Sequence, residues 1–126
     1  MRTGYALWND GDIDGMAEQC FAEDVEFYPA PEWPGPHVYR GAQAVAAFLR
    51  DEVAAIIGLS EIEIERETVV GDEVVFALRT KVAGEQSGLH FEVPVFHVAK
   101  VEDGRVTRIR AFLDEGKAMR VAGGGP

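Results

Sequence analysis

Asp103-Gly104 sits between two runs rich in β-branched and aromatic residues, Phe91 to Glu102 and Arg105 to Phe112. Asp and Gly both tolerate the positive φ that a type I′ turn demands, so this dipeptide predicts a two-residue hairpin. Glu102 then faces Arg105. Counting back from the turn puts His97 opposite Arg110, Val95 opposite Phe112 and Val93 opposite Asp114. Side chains alternate faces along a strand, so His97, Arg110, Phe112 and Asp114 are expected to share one face. An imidazole, a guanidinium and a carboxylate among Val93, Val95 and Phe112 predict the wall of an apolar pocket with a few polar groups.

The rest of the chain supplies helices first and strands later. Residues 3–9 read as a short helix. Asp12 is a plausible N-cap for a second, whose apolar stripe is Ile13, Met16, Ala17, Cys20 and Phe21. Val25 to Tyr28 reads as a strand. Four of the six prolines then fall within residues 29–36, which predicts a stiff loop. After Gly41 a third helix presents Val45, Phe48, Leu49, Val53 and Ile56, with Gly58 as its stop. Glu61 to Glu65 alternates strictly, Gly71-Asp72 is a turn, and Val74 to Val82 returns as a strand. Gly84 to Gly88 is a loop, and the Gly-rich end of the chain reads as a flexible tail. This order predicts an α+β fold with the N-terminal helices packed on one face of a curved antiparallel sheet.

The chain has 126 residues, one domain by length, and 47% are hydrophobic, enough for a core. Its formal charge of −10 argues against a nucleic-acid partner, because phosphates repel such a surface. The charge is uneven: residues 1–32 hold eight acids and only Arg2 as a base, whereas residues 97–126 hold six bases and four acids. That bias near the predicted pocket favours an anionic or carbonyl-bearing ligand. A single cysteine, Cys20, excludes an internal disulfide and a cysteine metal cluster. His37 and His90 lack a recognisable metal spacing, so neither a metal nor a cofactor is expected. Without a long apolar run or a signal peptide, a cytoplasmic protein with no membrane partner is the expectation.

Asn9 to Met16, Phe21-Ala-Glu-Asp24, a strand ending at Pro29, Gly41 to Phe48 and Asp103 to Phe112 carry a resemblance. In this order they resemble the nuclear transport factor 2-like superfamily, in particular the SnoaL-like polyketide cyclases and ketosteroid isomerases. The resemblance covers most of the chain. It implies a cone-shaped α+β fold over residues 1–126, a cavity for a small apolar or carbonyl-bearing molecule, and a homodimer. It also implies general acid/base chemistry beside a carbonyl. The isomerases place a carboxylate just before the strand-end proline, where this chain has Tyr28. Tyr5 falls about one residue from their first-helix tyrosine, and His97 lies at or within one position of their oxyanion-binding acid. The cyclases carry an acid on the last strand, and Asp114 matches it.

These positions define the candidate site. Asp114 is the expected base and His97 the acid or oxyanion partner, with a neutral imidazole able to donate one hydrogen bond. Arg110, Tyr28, Phe112, Trp33 and Tyr5 are the expected binding residues. The Pro-rich loop with Glu32, Trp33 and His37 is read as a lid, a connector or a dimer contact. A non-catalytic ligand-binding module on the same cavity is the alternative function, and an assembly domain acting through the outer sheet face is a weaker one.

Overall fold

The computed structural model describes residues 2–53, 61–83 and 90–122. Ile56, the Gly58 stop, the Gly84 to Gly88 loop and the Gly-rich tail lie outside the described residues. Helix α1 (Arg2–Asn9) turns its buried Tyr5 and Trp8 inward. Helix α2 (Ile13–Cys20) begins where the Asp12 side chain accepts from the Gly15 amide at 2.9 Å, and it buries Ile13, Met16 and Cys20. It runs directly into strand β1 (Phe21–Tyr28). After the short β2 (Tyr39–Arg40), Gly41 at φ +95° admits the chain into α3 (Ala42–Phe48). A residue with a Cβ would be strained at that φ. A π-helical turn, Leu49–Val53, follows.

Strands β3 (Glu61–Val70), β4 (Glu73–Ala83), β5 (His90–Glu102) and β6 (Arg105–Phe112) complete a curved six-stranded sheet of order β2-β1-β6-β5-β4-β3. The expected α+β architecture is present, but the sheet is mixed rather than wholly antiparallel. The chain enters β1 from α2 in the same direction that β6 later takes, so β1 and β6 pair in parallel. Helices α1, α2 and α3 pack with Phe21, Val25, Phe27, Val106, Ile109 and Ala111 in one cluster. Tyr5, Phe76, Leu78 and Ala99 form a second on the same face.

The hairpin turn forms as expected. Asp103 at φ +53° and Gly104 at φ +79° close it, and Glu102 pairs with Arg105. At Lys100, three residues before Asp103, the expectation fails. Val101 pairs with Val106, but Lys100 pairs with Arg108, so Thr107 is an extra residue in a β-bulge. Beyond it every partner shifts by one. His97 faces Ala111, and Arg110 faces Val98. A one-residue slip exchanges faces, so His97, Ile109 and Ala111 look into the concave side, whereas Arg110 and Phe112 look out.

The outer face carries its own small core. Helix α4 (Glu115–Val121) lays Ala118 and Val121 over Val75, Ala77, Phe96, Val98 and Phe112. Glu73 is fully buried here, and its carboxylate receives Arg110 Nη2 at 2.8 Å and Arg108 Nη2 at 3.2 Å. Arg110 Nη2 also donates to the Val121 carbonyl at 3.0 Å, tying down the end of α4. A second bulge in β3 turns Arg66 towards this face, where it pairs with Glu115. Among the described residues, no helix is long and apolar enough to cross a membrane.

Candidate functional site

A cavity of about 320 Å³ lies between the concave sheet face and the helices. Its floor is Leu78, Thr80, Val93, Val95, His97, Ile109 and Ala111 from three neighbouring strands. Tyr5, Trp8 and Met16 close one side, and Phe27, Phe48, Leu49 and Val53 another. Pro29, Ala30, Glu32 and Trp33 of the Pro-rich loop form part of the wall. Trp33 is set there by a tight turn, its amide donating to the Ala30 carbonyl at 2.8 Å, and its ring meets Phe48 edge-on. The expected loop contribution is therefore to the cavity wall. The size suits a small molecule and the lining is mostly apolar.

One polar pair stands in this wall. Tyr5 Oη and His97 Nδ1 are 2.8 Å apart, joining α1 to β5. The two rings are nearly parallel with centroids 5.8 Å apart, and Phe27 packs edge-on against the imidazole. Burial lowers the His97 pKa to about 4, because a charged ring there would lose its hydration. The imidazole is therefore neutral near pH 7. Burial, then the Glu67 carboxylate, raises the Tyr5 pKa well above its ordinary value, so the phenol keeps its proton. The phenol can donate to Nδ1 or accept from it; in the tautomer where Tyr5 donates, the ring proton resides on Nε2. Among the described residues nothing pairs with Nε2. In that tautomer the neutral ring offers an N–H donor in the wall of a mostly apolar cavity, where a hydrogen bond to a ligand oxygen is strengthened by the low local dielectric.

The imidazole is neutral, as expected, though the cause differs. Desolvation holds His97 neutral, and Arg110 lies on the opposite face against Glu73. The structure brings together His97, Tyr5 and Trp33. It does not bring Arg110, Phe112, Tyr28 or Asp114 to the cavity. Tyr28 aligns with Arg110 and so faces outward, its hydroxyl 3.4 Å from Glu26. Phe112 packs under α4. Asp114 is exposed and caps α4, accepting from the Gly116 amide at 2.7 Å and the Lys117 amide at 3.4 Å. Its placement as the catalytic base is corrected accordingly: its carboxylate serves a helix N-terminus.

Several lining residues were missed. Thr80 sits on a strand whose faces were not assigned, and Phe27 on one whose cavity face was given to its neighbour Tyr28. The signal for the bulge was present: Val106 and Ile109 are three apart, which breaks the period of two, and Arg108 and Arg110 then alternate with Ile109 and Ala111. Glu32 is the sole acid of the cavity wall among the described residues, and it is exposed. Among the described residues, no group of three or more His, Cys, Asp or Glu is placed to hold a metal ion.

Comparison with known proteins agrees with this fold. The family model of the SnoaL-like domain matches residues 1–109. The uncharacterised protein Rv0034 of Mycobacterium tuberculosis is 30% identical over 116 residues, covering 89% of this chain and 84% of that protein. Among solved structures, TerC co-crystallised with polyporic acid superposes with a TM-score of 0.73 at 21% identity, over 94% of this chain and 91% of that one. RV0760c from Mycobacterium tuberculosis, in complex with estradiol-17beta-hemisuccinate, gives 0.69 at 20% identity, over 87% of each chain. Both share the fold, and both hold a small molecule.

Proposed function

The chain belongs to the SnoaL-like domain family, and from that premise we propose that its cavity binds a small apolar molecule bearing a carbonyl or hydroxyl oxygen. The Tyr5–His97 pair carries the reading. Tyr5 holds the ring in place and donates to Nδ1, so that Nε2–H of His97 donates to the ligand oxygen in this reading while the apolar wall takes the remainder. The ligand-bound relatives TerC and RV0760c support a small-molecule role. A panel of aromatic ketones and phenols, titrated against the protein by calorimetry, tests it. His97→Phe is expected to weaken binding roughly three- to tenfold, the worth of one hydrogen bond in such a site. An absence of binding across the panel, or equal affinity in the variant, would overturn the reading.

Isomerase- or cyclase-type turnover beside the carbonyl is the second reading. It is favoured by one observation, that Glu32 stands in the cavity wall. Glu32 would accept the proton adjacent to the carbonyl, and His97 would stabilise the oxyanion, a donor worth roughly 10²–10³ in rate. Glu32→Gln should then abolish most turnover and leave binding within a few-fold. The family resemblance also implies a homodimer, for which light scattering gives the mass directly.

A further inference from the structure

We propose that Thr80 is a second polar anchor at the far end of the cavity from His97, so that the preferred ligand is elongated and carries an oxygen at each end of an apolar body. This rests on the proposed ligand-binding role of the same cavity. Thr80 is 4% exposed and lies on the concave face, paired with Ile62 on one side and Val93 on the other. Its neighbours in the wall, Leu78, Val93 and Val95, are aliphatic. Among the described residues Thr80 and Glu73 are the buried polar or charged side chains, and Thr80 is the one on the concave face. A hydroxyl in an aliphatic wall is costly unless it is satisfied, and Val would fill the same volume. Thr80 lines the cavity, so a ligand atom can satisfy its hydroxyl.

The register fixes the spacing. His97 lies opposite Phe76, and Thr80 is four residues further along β4. At the rise of a strand that is roughly 13 Å of backbone. Side chains on a concave sheet converge, so the two polar groups suit ligand oxygens on the order of 10 Å apart. His97 Nε2 donates. The Thr80 hydroxyl donates or accepts, so a hydroxyl or carbonyl is accepted at that end.

Biphenyl bearing para hydroxyls on both rings supplies this spacing. Its matched probe has a methyl group in place of one hydroxyl. On the unaltered protein the diol is expected to bind roughly three- to tenfold more tightly than the methylated probe. Thr80→Val should remove that preference by weakening the diol alone, and Thr80→Ser should retain it. Unchanged melting temperatures would show that the variants fold. Equal affinity of the two probes for the unaltered protein, or a preference that survives in Thr80→Val, overturns the second anchor and leaves the single-donor reading standing. If neither probe nor any panel ketone binds, both readings fall together.

Discussion

Tyr5 Oη lies 2.8 Å from His97 Nδ1, a contact across ninety-two positions of sequence that joins the first helix to the floor of the cavity. Both rings are buried in a mostly apolar wall, where a polar atom gains from a partner. Tyr5→Phe removes the phenol, leaves the shape nearly intact and strands Nδ1 in an apolar wall. The expected cost is about 1–2 kcal/mol, read as a lower urea midpoint at unchanged slope. The imidazole is then free to exchange tautomers, which nitrogen-15 chemical shifts of His97 would report. A single unchanged tautomer and an unchanged midpoint would show that the contact contributes nothing.

His97 also makes stability depend on pH. In the folded chain its pKa is held down to about 4 by burial, against the ordinary 6.5. As pH falls below 6.5 the unfolded chain takes up the proton first, so the folded state loses stability. The contribution is complete above 6.5 and disappears as pH approaches 4. Each unit is worth about 1.36 kcal/mol, so by pH 5 the loss is roughly 2 kcal/mol. His97→Gln, which cannot titrate, should lose less stability between pH 7 and 5. Equal pH slopes for the two proteins, measured by urea unfolding, would contradict the lowered value.

The hairpin turn was legible because Asp103 and Gly104 encode their own conformation. So was the stripe of α2, because Ile13, Met16 and Cys20 repeat with the helical period. The faces beyond Thr107 were not legible from the turn, since a bulge exchanges every later side chain and is decided by what each face can bury. Arg110 satisfies its charge against Glu73, thirty-seven positions away, and no local pattern in either strand announces that pair. The cavity's floor was therefore half read: His97 was found through its own strand, whereas Asp114 was assigned by counting across a register that shifts.

Asp114 offers a clean separation of capping from catalysis. Its carboxylate accepts from two amides at the start of α4. Asp114→Ala should cost about 1 kcal/mol, the usual worth of an N-cap, and Asp114→Ser should recover most of it. Affinity for phenols and ketones in the cavity should stay within twofold, because the side chain does not line that space. Selective loss of ligand binding or turnover, at full stability, would return Asp114 to the site.

Glu73 is the group whose loss should harm the fold most. It is fully buried, and two guanidiniums converge on it, Arg108 with a side chain 30% exposed and Arg110 with one 15% exposed. Glu73→Gln removes the carboxylate that both arginines meet and leaves Arg110 with little access to water. Breaking such a pair costs about 3–5 kcal/mol, since the remaining charge stays desolvated. Arg108 has more freedom to turn outward. Replacing both partners of the deeper pair, Glu73→Leu with Arg110→Met, should recover much of the loss by extending the apolar cluster under α4. Urea unfolding of the single and double variants measures this directly. If the double variant is less stable than Glu73→Gln, the ion pair stabilises the sheet face beyond mutual charge neutralisation, and the hydrogen bond from Arg110 to the Val121 carbonyl becomes the group to remove next.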